Sequence, residues 1–390
     1  MFFLLCVTIY LVGLAIFYHM WSWQARHTPE RRPNLLLSLG VSSIAMLSLC
    51  VLSSLLMVAQ GILPGILRTI SLILYHATVI EPLFLASALG ILTWRSRRHA
   101  APLQRPVWSP SLIVFCACVL CVSAIGLWSM HIEPYWLDVH HVQPVTLQQD
   151  RPLGEEVTVA ILADLQHDTI TPFQRKIVAS TMAARPDLIL IPGDLYDSPA
   201  ANAHVEEFRA LLATLSAPLG VFMVVGDHDR LDVLREMTRG TDVILLDDQR
   251  ARRALNAQHT LEIVGLSTPA RDAFDRAMAR PLLEQHSALS ADARIVRIVL
   301  VHRPRHVLYL HAQDDVSLVV AGHTHGGQIS LPFFGPPVTI SPLPRSIAAG
   351  GLHRLPATWL YISRGLGGVQ QGVPLIRFNC RPELPIPHLR

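Results

Sequence analysis

Four apolar runs in the first third of the chain, residues 2–21, 35–59, 62–93 and 112–130, limit what it can fold into. Each has about the 20 residues needed to cross a hydrocarbon core of roughly 30 Å. They predict a membrane domain of four transmembrane helices over residues 1–133. Charge divides the chain at the same place. Residues 1–135 hold eight Arg and three Glu and neither Asp nor Lys, whereas the remaining 255 residues hold 24 basic and 26 acidic ones. So unlike a pair of parts excludes a uniform soluble protein and equally a chain embedded throughout. The overall charge of +3 is a sum across those parts, and no nucleic-acid partner is expected from it.

The first run lacks a basic start and a small-residue cleavage site, so it reads as a span rather than a secretory signal. The third is overlong and contains Glu81-Pro82. Pro kinks a membrane helix at tolerable cost, and Glu81 reads as facing a neighbouring helix, with His76 as its candidate partner. Basic residues of the short loops set the orientation. Arg26, Arg31 and Arg32 in the first loop and Arg95, Arg97, Arg98 and Arg105 in the third outweigh Arg68 in the second. The positive-inside rule then predicts a multi-pass protein of the cell (inner) membrane with everything after Met130 extracytoplasmic. Trp128, Tyr135 and Trp136 fit an aromatic belt at the outer interface, and residues 134–153 read as a linker. Cys116, Cys118 and Cys121 lie among Ile, Val, Leu and Ala and read as small membrane residues, while Cys380 stands alone in the globular part.

From Val157 the pattern changes to short runs rich in Val, Ile and Leu, each ending in acidic or His residues. Residues 157–163 lead to Asp164, residues 188–192 to Gly193-Asp194, and residues 221–225 to Gly226-Asp227-His228-Asp229. Residues 298–301 lead to His302, and residues 316–321 to Gly322-His323-Thr324-His325. Such runs suit buried strands, and the stretches 172–184, 204–215 and 231–238 between them read as helices. Strands alternating with helices predict an α/β sheet with its ligand groups gathered at strand C-terminal ends. A lone Asp or His there would be a cap or a turn. Five in order, with Gly at the sharp turns, form an oxygen-and-nitrogen set for hard or borderline divalent metals.

These blocks resemble the calcineurin-like metallophosphoesterases, whose pattern is Asp-x-His, Gly-Asp-x-x-Asp, Gly-Asn-His-Asp/Glu, a lone His, then Gly-His-x-His. Here they read Asp164-Leu165-Gln166, Gly193-Asp194-Leu195-Tyr196-Asp197, Gly226-Asp227-His228-Asp229, His302 and Gly322-His323-Thr324-His325. The ending Ser363-Arg364-Gly365-Leu366-Gly367, followed by residues 377–383, looks like the membrane-associated bacterial branch. Two positions depart from the pattern: Gln166 stands for His, and Asp227 for Asn. Both swaps add oxygen character, which suits Mn²⁺ or Mg²⁺ better than Zn²⁺, with Fe a further option. Whether Gln166 or the neighbouring His167 is the ligand stays open, the family register favouring Gln166.

The resemblance implies a four-layer α/β sandwich over residues 154–390, two mixed β-sheets flanked by helices. It implies two divalent ions, the first held by Asp164, Gln166 and His325, the second by Asp227, His302 and His323, with Asp194 bridging. Two such ions acidify a shared water for in-line attack at phosphorus. His228 would protonate the leaving oxygen, with Asp197 orienting its ring. Asp229 reads as a carboxylate that stabilises its loop, and Arg364 is a candidate phosphate contact. The expected activity is hydrolysis of a phosphate ester, a diester or lipid-linked phosphate, next to the lipid bilayer. The rival is a membrane-anchored metal-binding or sensor module that has lost catalysis, with Gln166 and Asp227 as its scars. Residues 326–350 carry Ile329, Leu331, Phe333, Phe334, Val338, Ile340 and Leu343, and read either as a covering flap or as a lip facing lipid or substrate.

Overall fold

A computed structural model describes residues 2–27, 34–59, 73–98, 110–145, 155–267, 294–311, 314–356, 358–370 and 374–390. The chain divides into two units, residues 1–132 with 370–375, and residues 133–369 with 376–390.

The first unit is helical. Helices α1 (Phe2–His27), α2 (Leu35–Ala59), α3 (Glu81–Arg98) and α4 (Pro110–Leu127) bury Phe17, Leu39, Met46, Phe84 and Ala88 between them. Three described stretches are long and apolar enough to cross a membrane, Cys6–Gln24, Ile73–Leu92 and Leu112–Tyr135. Of the four expected spans, three are thus of membrane-crossing length among the described residues; α2 is a 25-residue helix whose described apolar stretch, Leu37–Leu52, is shorter. The expected start of the third span at Ile62 lies outside the described residues. A π-helical turn over His76–Ile80 precedes α3. It places His76 and Glu81 4.0 Å apart, and Glu81 accepts from the Ser43 hydroxyl of α2.

The second unit holds two six-stranded mixed sheets. Sheet one runs β1 (Asp138–Val145), β12 (Glu383–Leu389), β2 (Val157–Ile161), β3 (Leu188–Ile191), β4 (Val221–Met223), β5 (Val243–Leu245). Sheet two runs β10 (Gly351–Arg354), β11 (Trp359–Ile362), β9 (Leu318–Ala321), β8 (Arg294–Val301), β7 (His259–Leu266), β6 (Gln249–Ala254). Strands β2 to β5 are mutually parallel, as are β7, β8, β9 and β11, so their carboxyl ends gather on one edge of each sheet. The runs read as buried strands are buried on both faces. Alternate residues Ile161, Phe222, Ile263, Ile298 and Val320 fill the space between the sheets. Ala160, Ile189 and Met223 face helices α5 (Pro172–Ala183), α6 (Val205–Leu212) and α7 (Leu231–Thr238). Val299, Val319 and Leu360 pack against Val307, Leu343 and Ala348 on the far side of sheet two.

Local chemistry sets the helix starts. Thr171 caps α5 through a reciprocal box with Gln174, and Pro172 occupies a first-turn position where no N–H is needed. The stretch expected as a linker contributes structure instead. Strand β1 pairs in parallel with β12, from Asp138 opposite Glu383 to Val145 opposite Leu389. As an edge strand it leaves Val139 exposed and buries Val145, so it lacks the apolar run that marks a central strand. Tyr135 and Trp136, assigned from sequence to an interfacial belt, meet the Phe173 ring edge-on and the Arg381 guanidinium within this unit.

Candidate metal centre

Every block singled out in the sequence lies just beyond the carboxyl end of a strand. Asp164 and Gln166 follow β2, Asp194 and Asp197 follow β3, and Asp227, His228 and Asp229 follow β4. His302 follows β8, and His323 and His325 follow β9. The turns interlock: the amide of Asp164 donates to Gly193 O, that of Gln166 to Asp194 O, and that of Gly322 to His302 O. Asp164, Gln166, Asp194, His323 and His325 all take φ between +39° and +73°, the left-handed region that L side chains disfavour by roughly 1–2 kcal/mol each. Space at the turns is equally constrained. A Cβ on Gly226 would lie 2.2 Å from Asp194 Oδ1, and one on Gly322 would lie 2.4 Å from Asp164 Oδ2.

Two groups of donor atoms converge, Asp164 with Asp194 and His302, and Asp227 with His302 and His323. His302 is common to both, its Nε2 lying 3.4 Å from Asp194 Oδ2 and 3.8 Å from Asp227 Oδ2, and Asp194 Oδ2 lies 3.3 Å from Gln166 Nε2. His302 donates its Nδ1–H to Pro192 O at 3.0 Å, which leaves the lone pair of Nε2 facing the carboxylates. His323 Nδ1 lies 3.0 Å from Asp227 Oδ2 and 3.2 Å from His302 Nε2. Gln166 Oε1 and His325 Nδ1 are buried with no hydrogen-bond partner among the described residues. A buried acceptor without a partner is costly, and a cation is the partner that both lack. His167 is turned away, its Nδ1 bonded to Thr169 O at 2.9 Å, so Gln166 is the donor that the fold delivers to the cluster.

The electrostatics point the same way. Burial, reinforced by Asp194, pushes Asp164 well up from the usual carboxylate range, and burial pushes Asp194 up to about 6. Burial also lowers the proton affinity of His302, His323 and His325. Neutral imidazoles beside carboxylates that cannot comfortably share their charge are the donor set that a divalent cation relieves. Asp227 departs from the others. Burial opposes its ionisation, yet His323, His302 and Arg303 outweigh it and hold the carboxyl low. Arg303 Nε sits 2.8 and 2.9 Å from the two Asp227 oxygens.

His228 stands at the rim. Its amide donates to Asp194 Oδ1 at 2.9 Å, and its ring donates from Nδ1 to the main-chain oxygen of Asp197 at 2.8 Å. The Asp197 carboxylate is more distant, 3.8 Å from Nδ1, so the backbone carbonyl rather than the side chain makes the short contact. Burial lowers the proton affinity of His228, but Asp194, the Asp197 carbonyl and the nearby carboxylates raise it overall. Asp229 accepts from the amides of Asp194, Leu195 and Gly226 at 2.8–2.9 Å and so ties the β3 and β4 turns together. Arg364 is engaged elsewhere, with Glu383 at 2.7 Å and Asp138 at 3.2 Å. Arg303 sets a guanidinium against Asp227 and lines a cleft of about 570 Å³ with Asp227, His323, Arg305, Ile340 and Pro342. Sequence reasoning passed over Arg303, although its place next to His302 was the available signal.

The sequence profile of the calcineurin-like phosphoesterase domain matches residues 157–327. The chain is 30% identical over 216 residues to YkuE, an uncharacterized metallophosphoesterase of Bacillus subtilis, covering 54% of this chain and 71% of that protein. It is 26% identical over 274 residues to the phosphodiesterase YaeI of Escherichia coli, covering 67% and 92%. It is 24% identical over 304 residues to the UDP-2,3-diacylglucosamine pyrophosphatase LpxG of Chlamydia trachomatis, covering 66% and 91%. On that match and the 30% identity to YkuE, the chain belongs to the calcineurin-like phosphoesterases, the metal-dependent hydrolases of phosphoric esters.

Proposed function

We propose that this chain hydrolyses a phosphoester borne by a lipid, at the extracytoplasmic face of a membrane, with two divalent ions of which Mn²⁺ fits best. The observation that carries the chemistry is the convergence of five donor side chains from five strand ends, with Gln166 and His325 adding buried atoms that have no hydrogen-bond partner. Asp164, Gln166 and His325 would hold one ion and Asp227, His302 and His323 the other, with Asp194 shared. When bound, the ions supply Lewis-acid charge and lower the pKa of water. The remaining work falls to protein groups. His228, fixed through Nδ1 on the Asp197 carbonyl, presents its other nitrogen to the leaving oxygen and donates a proton there. Arg303, held by Asp227 at the cleft wall, balances phosphate charge.

Three apolar helical stretches and the similarity to LpxG, whose named substrate carries acyl chains, support a substrate anchored in lipid. With the 25-residue α2 taken as a fourth span, the excess of Arg in the first and third loops supports the extracytoplasmic side. The test is the full-length chain in detergent, loaded with Mn²⁺ and given bis-p-nitrophenyl phosphate and a panel of lipid phosphoesters. Hydrolysis of both, with preference for a lipid ester, is expected. Two bound ions with no turnover of any ester would leave the metal-binding module as the reading. Orientation is checked separately, since a C-terminal alkaline phosphatase fusion should be active in cells and a green fluorescent fusion dark.

A further inference from the structure

One segment of the catalytic unit is built unlike the rest of its surface. Residues 326–350 contain no Asp, Glu or Lys, and their one charged side chain is Arg345. The base of the segment is fastened. The Ser330 amide donates to Phe378 O at 2.8 Å, the Phe378 amide to Gln328 O at 2.9 Å, and the Gln328 side chain to Ile376 O. Leu343 is buried against the outer face of sheet two. Between these anchors the chain turns outward. Leu331 and Gly335 form a bridge, and the amides of Phe334 and Gly335 both donate to Leu331 O. Phe333 occupies the tip at φ +64°, fully exposed, and Leu331, Phe334 and Ile340 are 41–55% exposed.

Burying such side chains within the unit would have been easy for a flap that merely covers a sheet edge. Here a tight, hydrogen-bonded turn instead holds two adjacent Phe rings out in water, at a cost in backbone strain. The charge nearest them is basic, and the one carboxylate lining the adjoining cleft, Asp227, is paired with Arg303. The Arg345 guanidinium lies 4.3 Å from the centre of the Phe334 ring, and Arg303 and Arg305 line the cleft that Ile340, Ser341 and Pro342 wall on the loop side. Aromatic rings flanked by Arg, with no acid in the segment, match the apolar interior and anionic headgroups of a lipid layer.

We propose that the loop 331–340 is an insertion device that seats the mouth of the catalytic cleft on an anionic lipid surface. Phe333 and Phe334 enter the acyl region and Arg345 remains among the headgroup phosphates. Ile340 and Pro342 then form the passage from that surface to the cleft. The insertion itself is independent of the hydrolytic reading; only its effect on turnover rests on it.

The experiment uses the full-length chain in nanodiscs of phosphatidylglycerol, comparing Phe333→Trp with the parent. The added indole emission should be quenched by brominated acyl chains and shielded from aqueous iodide. Quenching by iodide without quenching by brominated lipid would overturn the proposal. In a second arm, Phe333→Asp with Phe334→Asp should lower the ratio of kcat/KM on a vesicle-borne phosphoester to that on bis-p-nitrophenyl phosphate by about tenfold or more. An unchanged ratio in an active enzyme would equally overturn it. Absence of turnover on every ester would defeat the hydrolytic reading alone, because the fluorescence arm needs no catalysis.

Discussion

His228 and Asp194 are joined by one hydrogen bond and serve different ends. Asp194 belongs to the fully buried donor group with Asp164 and His302, so Asp194→Ala should cost metal as well as activity. His228→Ala should keep both ions and lower turnover by about 10²–10⁴, the usual worth of a positioned acid. The loss should be smallest for an ester of an acidic alcohol such as p-nitrophenol and largest for an alkyl ester. Elemental analysis beside kcat on the two esters checks this, and equal losses at full occupancy would leave His228 a purely electrostatic group. Asp227 and Arg303 form the second residue-scale case. Asp227→Asn alone would strand the Arg303 cation beside the cluster and weaken Mn²⁺ binding, and adding Arg303→Gln should recover much of that affinity. Calorimetric titration of the two single variants and the double should show a coupling of about 1–3 kcal/mol. Strictly additive effects would mean that Arg303 does not answer the Asp227 charge.

Among the elements, β7 and β8 carry a feature that the apolar runs do not advertise. Glu262 and Arg297 face each other in register, both buried, with Nε 2.7 Å from Oε2, and Arg252 reaches the same carboxylate from β6 at 2.8 Å. Removing one member of a buried pair leaves the other uncompensated, so Arg297→Met should cost about 3–5 kcal/mol in denaturant unfolding. A loss below about 1 kcal/mol would show that Arg250 and Arg252 suffice for Glu262. The strand-end turns make a different demand. Gly226→Ala would drive a methyl into the Asp194 carboxylate, and the outcome to look for is lost metal with the fold retained by circular dichroism. Full metal occupancy in that variant would mean that the turn yields without moving the ligand.

For the molecule as a whole, the ligand cluster links metal, pH and stability. Burial and Asp194 push Asp229 up to about 7, and burial pushes Asp194 up to about 6, both from an ordinary 3.8. Between those values the folded chain binds more protons at these two groups than the unfolded one, so their contribution to stability falls as pH rises. The buried His302, His323 and His325 are shifted downward, and their contribution grows as pH rises toward the ordinary 6.5. In the metal-free chain the two sets oppose each other. On metal binding Asp194 and the imidazoles act together, because both must shed protons to ligate. The increase in Tm on adding Mn²⁺ should therefore be larger at pH 8 than at pH 5. Equal increases at the two pH values would contradict a carboxylate and imidazole ligand set.

Sequence by itself determined the division into an apolar third and a globular remainder, the strands β2, β3, β4, β8 and β9, and the acidic and His residues at their ends. Those follow from hydrophobic periodicity and side-chain chemistry, which are local properties. Tertiary structure decided what depends on distance between remote positions. It gave Gln166 rather than His167 to the cluster, through the left-handed turn at Gln166. It gave the His228 ring to the Asp197 carbonyl, and it gave Arg364 to Glu383 and Asp138 while setting Arg303 at the cleft. It drew residues 138–145 into sheet one, where an edge strand needs hydrogen-bonding partners more than an apolar run. The residue types that can bind a metal are written along the chain, but which of their atoms meet is set by backbone turns, burial and competing partners that form only when both sheets have closed on each other.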